Sequence, residues 1–182
     1  MIRRALCLAV GMMLLAGCGA KSGPQSMEDR ELVHSRVVAA LADFKRADPS
    51  LAALLNTSQA YAIFPQVVSV AVGVGGAHGD GEVYQNGALI GSADVSQGSV
   101  GAQLGGQKYA ELVLFQNEGA LSNFTHGTLE FDARATAVAA SNGAGKTADY
   151  SRGVMVFTLP ESGLMAQASL GLQKFRFRAV GQ

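Results

Sequence analysis

From Ser26 onward the apolar positions of this 182-residue chain follow first a helical and then a two-residue period. Val33, Val37, Leu41 and Phe44 recur at helical spacing, and Ser26 with Asp29 three residues on has the pattern of a helix N-terminal cap. The spacing predicts a helix from about Met27 to Ala47. It stops at Asp48-Pro49, where Asp48 can cap a second helix that begins with Pro49, a position at which the missing amide hydrogen costs nothing. Leu51, Leu54 and Leu55 give that helix one apolar side.

After Ser58 the pattern becomes that of strands. Ala60–Phe64 is one expected strand, and Val67–Val74 another, with Val68, Val70, Val72 and Val74 on one side. In Glu82–Ile90, Asn86-Gly87 separates two strand-like runs, the strongest short hairpin signal available to a sequence. Further strands are expected at Val100–Leu104, Tyr109–Phe115 and Leu129–Ala139, with a short helix near Glu118–Phe124. In Leu129–Ala139, apolar Leu129, Phe131, Ala133 and Ala135 alternate with polar residues, as in one half-buried strand. Ser141–Lys146 reads as a Gly-rich turn, and Gly153–Leu159 as a central strand.

Near the C-terminus the apolar side changes register. Leu164, Ala166, Ala168, Leu170 and Leu172 occupy even positions, but beyond them Lys174, Arg176 and Arg178 do, and Phe175 and Phe177 take the apolar side. One strand cannot satisfy both registers on the same core, so a bulge or break is expected near Gly171–Gln173. Helices first and antiparallel strands after them predict an α+β fold: two N-terminal helices packed on a curved, mainly antiparallel sheet, a sandwich or an open barrel.

The N-terminus adds a different signal. Arg3 and Arg4 precede an apolar and small-residue run from Ala5 to Ala16, the layout of a secretory signal and too short for a membrane-crossing helix. Leu15-Ala16-Gly17-Cys18 resembles the lipobox of bacterial lipoproteins. Residues 1–17 are therefore expected to be removed, Cys18 to carry a diacylglyceryl group, residues 18–25 to form a short tether, and residues 26–182 a single domain. Cys7 lies in the signal, so the mature chain has no disulfide framework. Gly19 after the cysteine, rather than Asp, resembles the sorting signal for the outer membrane of a Gram-negative host. Without Arg3 and Arg4, 12 basic residues face 14 acidic ones, a balance that argues against a nucleic-acid partner.

Of the 23 glycines, 11 fall between Gly73 and Gly106. Within that stretch there is no Gly-x-Gly-x-x-Gly and no Gly-Lys-Ser/Thr, so bulges, tight bends or close backbone packing explain these glycines better than a phosphate loop. The segments Ala60-Tyr-Ala-Ile-Phe-Pro65, Val72-Gly-Val-Gly-Gly76 with Gly79-Asp-Gly81, Gly98-Ser-Val-Gly-Ala-Gln-Leu-Gly-Gly-Gln107 and Gly163-Leu-Met-Ala stand in an order that resembles the SYLF domain, over about Val33 to Phe177. That resemblance implies association with phospholipid surfaces. The actin binding of the yeast members does not suit a periplasmic protein and is not carried over.

Lys174, Arg176 and Arg178 place three cations on one strand face, where they could meet anionic headgroups; the competing expectation is a solvated basic edge that blocks strand aggregation. His78, Asp80 and Glu82 alternate as metal ligands on a strand would, but the intervening glycines and the lack of further ligands favour a polar hairpin edge. No Gly-x-Ser-x-Gly is present, His34 and His126 read as surface histidines, and Glu130 with Asp132 is balanced by Arg134. The expectation is a non-enzymatic, membrane-anchored periplasmic lipoprotein that binds phospholipid and supports envelope integrity, with no cofactor, no catalytic residues and no metal site. The alternative is a structural or interaction module that binds an envelope protein or glycan, with membrane attachment from the acyl anchor alone.

Overall fold

A computed structural model describes residues 26–132, 137–161 and 172–181. The expected signal, lipobox with Cys18 and tether, the Gly163-Leu-Met-Ala segment and the alternation over 164–170 lie outside the described residues. Among those described, the order is α1 (Met27–Ala47), α2 (Leu51–Thr57), β1 (Ala60–Gln85), β2 (Ala88–Phe115), α3 (Glu118–Thr125), β3 (Glu130–Asp132), β4 (Ala137–Ala139), α4 (Ala144–Thr147), β5 (Val154–Pro160) and β6 (Leu172–Ala179). The fold is α+β, with two N-terminal helices packed on a mostly antiparallel open sheet.

Local chemistry sets the element ends. Ser26 Oγ accepts from the Asp29 amide while Asp29 accepts from the Ser26 amide, a reciprocal cap that opens α1. Asn117 Oδ1 caps α3 through the Ala120 amide. Asn86 and Gly87 both have positive φ, 51° and 77°, as a two-residue turn between twisted strands requires. The second helix begins later than expected: Pro49 and Ser50 form a turn, and α2 starts at Leu51.

The strands expected separately between Ala60 and Phe115 join into one long hairpin, with register shifts at Phe64/Val67, Val72/Val74 and Val83/Tyr84. Along its other edge β2 pairs first with β6, through Gly91–Gly98, and then with β5, through Tyr109–Phe115. The single strand expected over Leu129–Ala139 is corrected to two short ones. Glu130–Asp132 pairs antiparallel with β6, whereas Ala137–Ala139 pairs parallel with β5. Alternation fixes which side chains share a face but carries no information about which neighbour a strand selects.

Each face of the sheet has its own core. Ile63, Leu112, Leu114, Met155 and Phe157 pack against Val37, Ala40, Phe44 and Leu51 of the helices. On the inner face, Phe64, Val113, Phe115 and Val156 share one cluster with Ala77, Val83, Val95 and Phe175 from the other half of the sheet. Such a cluster forms only because the sheet curls onto itself. Phe124 of α3 joins the halves, with ring centroids 4.9 Å from Phe115 and 5.0 Å from Phe175. A Cβ added at Gly79 would lie 2.7 Å from the Gln66 carbonyl oxygen, and one at Gly81 would lie 2.3 Å from that of Ile63. These glycines let the later half of β1 rest on the backbone of its earlier half.

Candidate functional site

A groove of about 820 Å³ lies between α1 and the sheet, beside Pro65 of β1 and the end of β5. Its α1 wall consists of Arg36, Ala39, Ala40, Asp43, Arg46 and Ala47, whose spacing places them on one helix face. The opposite wall and floor are Pro65, Gln66, Ala110, Leu159, Pro160 and Glu161. Small alanines on the helix leave the space open, and Pro65 sits at the β1 irregularity between Phe64 and Val67. The floor is apolar and the rim is charged. Arg46 pairs with Asp43 at 2.5 Å and Gln66 Nε2 donates to Glu161 Oε1 at 2.7 Å. The volume falls within the range of small-molecule sites, and the lining suits an amphiphile with both cationic and anionic groups at its head.

The basic trio of β6 divides. Lys174 and Arg176 are exposed on the strand face turned away from Phe175. Arg178 is half-buried, and its guanidinium donates to both oxygens of buried Asp94, at 2.7 and 2.9 Å. Asp80 stands directly opposite Asp94 in register. Burial raises both carboxyls, but Arg178 pulls Asp94 below its ordinary value, while burial and the facing Asp94 leave Asp80 raised. Arg178 therefore serves first as the counter-ion of this acid pair.

His78, Asp80 and Glu82 do not converge. His78 Nε2 lies 3.8 Å from Asp80, whereas buried Glu82 accepts from the Tyr84 hydroxyl at 2.5 Å and lies 3.0 Å from His34 Nδ1. No group of three potential ligands holds together among the described residues. His34 is thus a link from α1 to the sheet, while His126 caps the end of α3 through Ser122. Among the described residues, no helix is long and apolar enough to cross a membrane.

Two polar positions go beyond what the sequence indicates. Asp48, expected only as a helix cap, also gathers backbone amides from the Gly-rich turn. Glu111 is fully buried on the inner face. Its one sequence signal is a lone charge within the apolar run Tyr109–Phe115. No protein-family model and no curated protein matches the chain.

Proposed function

We propose that the protein is a lipid-anchored periplasmic lipoprotein of the outer membrane, held through Cys18, whose folded domain binds phospholipid without performing a reaction. The observation that carries the lipid-binding part is the groove beside α1, where Arg36 and Arg46 stand over a floor of alanine, proline and leucine. Guanidinium groups suit phosphate recognition, Asp43 and Glu161 suit a headgroup amine, and the apolar floor suits the first methylenes of an acyl chain. The lipobox and the motif-level resemblance to the SYLF domain point the same way. Since no family model matches, the groove bears more weight than the resemblance. Exposed Lys174 and Arg176 supply a second, electrostatic contact with the surface.

A chain beginning at Gly19, which lacks the acyl anchor, should float with phosphatidylethanolamine/phosphatidylglycerol liposomes at low salt. Arg36→Glu should weaken that flotation at unchanged thermal stability. Failure of the unsubstituted chain to float removes the lipid-binding reading and leaves only the anchor.

The alternative, an interaction module, is favoured by Val68 and Val70, which are 39% and 58% exposed on the same side of β1. Under that reading, replacing both with threonine abolishes capture of an envelope partner and leaves flotation of the anchor-free chain absent throughout.

A further inference from the structure

The inner face of the sheet is aromatic at one end, with Phe64, Phe115, Phe124 and Phe175, and becomes polar at Gln97, Tyr109, Glu111 and Gln173. Glu111 shares its strand face with Val113 and Phe115 and is wholly removed from solvent. Phe64 lies opposite it in register on one side and Thr158 on the other. Gln173 Nε2 donates to Glu111 Oε2 at 2.8 Å and approaches Gln97 Oε1 at 3.4 Å.

Four buried side-chain oxygens among the described residues have no hydrogen bond; Asp80 Oδ1 lies elsewhere, and the other three, Glu111 Oε1, Gln173 Oε1 and the Tyr109 hydroxyl, belong to this face. The Tyr109 hydroxyl is two residues along the same strand face and can rotate, yet it donates to neither of the other two oxygens. The Tyr109 hydroxyl is near enough to Glu111 for the two to interact electrostatically, and the Gln173 amide is bonded to Glu111. Buried polar atoms in folded proteins are almost always partnered, so three unpartnered oxygens on neighbouring residues of one buried face call for an explanation. The influences on Glu111 ionisation are burial and the Gln173 amide, and no cation among the described residues contributes.

We propose that this niche binds a primary ammonium group, whose three N–H donors match the oxygens of Glu111, Gln173 and Tyr109 and whose single charge neutralises Glu111. Phe64, facing Glu111, and Phe175, two residues beyond Gln173, have ring centroids 5.7 Å apart and supply apolar contact for the carbon of a small primary amine. A sodium ion could neutralise the charge but does not present three directional donors. A quaternary ammonium has none. The site is separate from the groove and does not depend on the function proposed for it.

The test uses the full chain purified from membranes in detergent, labelled with ¹³C at the glutamate side-chain carboxyl carbon. Burial pushes Glu111 up to about 7, so its resonance is recognised by titration near neutrality, and Glu111→Gln removes it. Methylammonium chloride is compared with sodium chloride and tetramethylammonium chloride at equal ionic strength. Methylammonium alone should shift the resonance saturably and lower its protonation midpoint. Tyr109→Phe, which deletes only a hydroxyl, should weaken the methylammonium response about tenfold. Should Glu111→Gln not fold, that variant still decides the matter. Identical titrations in all three salts would show a protonated Glu111 with water beside it and overturn the proposal. An equal response to sodium would overturn it in favour of an inorganic cation.

Discussion

Asp48 and Gly145, 97 residues apart, are joined by a 2.6 Å hydrogen bond from the Gly145 amide to Asp48 Oδ2. The other carboxylate oxygen accepts from the Gly143 amide and from the amide and hydroxyl of Ser50. One buried side chain thus ties the α1–α2 corner to the start of α4. Asp48→Ala should destabilise the domain by about 3 kcal/mol, because it leaves several donors unpaired at once. Gly145→Ala should cost about 1 to 3 kcal/mol, since its Cβ would lie 2.7 Å from Ser50 Oγ and 2.9 Å from Leu54 Cδ1. Chemical denaturation of the two variants measures both.

Two buried carboxyls give opposite pH signatures. Burial alone would raise Asp48, but its hydrogen bonds outweigh burial and hold it below the ordinary value of 3.8. Its stabilisation is therefore present above that value and is lost as pH falls through the lowered folded one. Glu111 keeps its proton in the fold up to about 7 but loses it near its ordinary 4.5 when unfolded. Stability should consequently fall by about 3 kcal/mol as pH rises across that interval, and Glu111→Gln should remove this limb. Denaturation midpoints measured from acid to neutral pH separate the two effects.

Arg178→Gln should destabilise the domain by about 2 kcal/mol at neutral pH and by less in acid. It leaves Asp94 buried opposite Asp80 without its cation, and protonation relieves that repulsion. The double variant Lys174→Gln/Arg176→Gln should reduce liposome flotation. A melting curve beside each flotation assay separates a loss of stability from a loss of binding.

Gly81→Ala should cost more than about 3 kcal/mol, on the order of a core cavity. The added Cβ would meet the Ile63 carbonyl oxygen and the Phe64 ring, and backbone cannot step aside as a surface side chain can. Gly87→Ala adds a Cβ that touches nothing, so its smaller cost comes from the positive φ alone. Comparing the two by thermal melting tests whether β1 rests on itself.

Features written in neighbouring residues are legible in the amino-acid sequence. The reciprocal cap of Ser26 and Asp29, the span of α1 and the Asn86-Gly87 turn follow from interactions within a few positions. The glycine concentration points to close backbone packing, and Gly79 and Gly81 show where that packing occurs. Partner choice is not legible in the same way. Leu129–Ala139 has the alternation of one strand, yet its ends join different strands. The polar relationships are equally non-local: Gln173 reaches Glu111 across 62 positions, and Arg178 reaches Asp94 across 84. The groove leaves no mark in the sequence because it is built from what alanines leave empty.

Native mass spectrometry of the chain beginning at Gly19, after incubation with phosphatidylethanolamine/phosphatidylglycerol liposomes and re-isolation, tests phospholipid binding most directly. One bound phospholipid should appear on the unsubstituted chain and disappear in Ala39→Trp, where an exposed helix position places an indole in the groove without disturbing the core. A chain that emerges free of lipid, or an Ala39→Trp variant that retains it undiminished, would contradict the account.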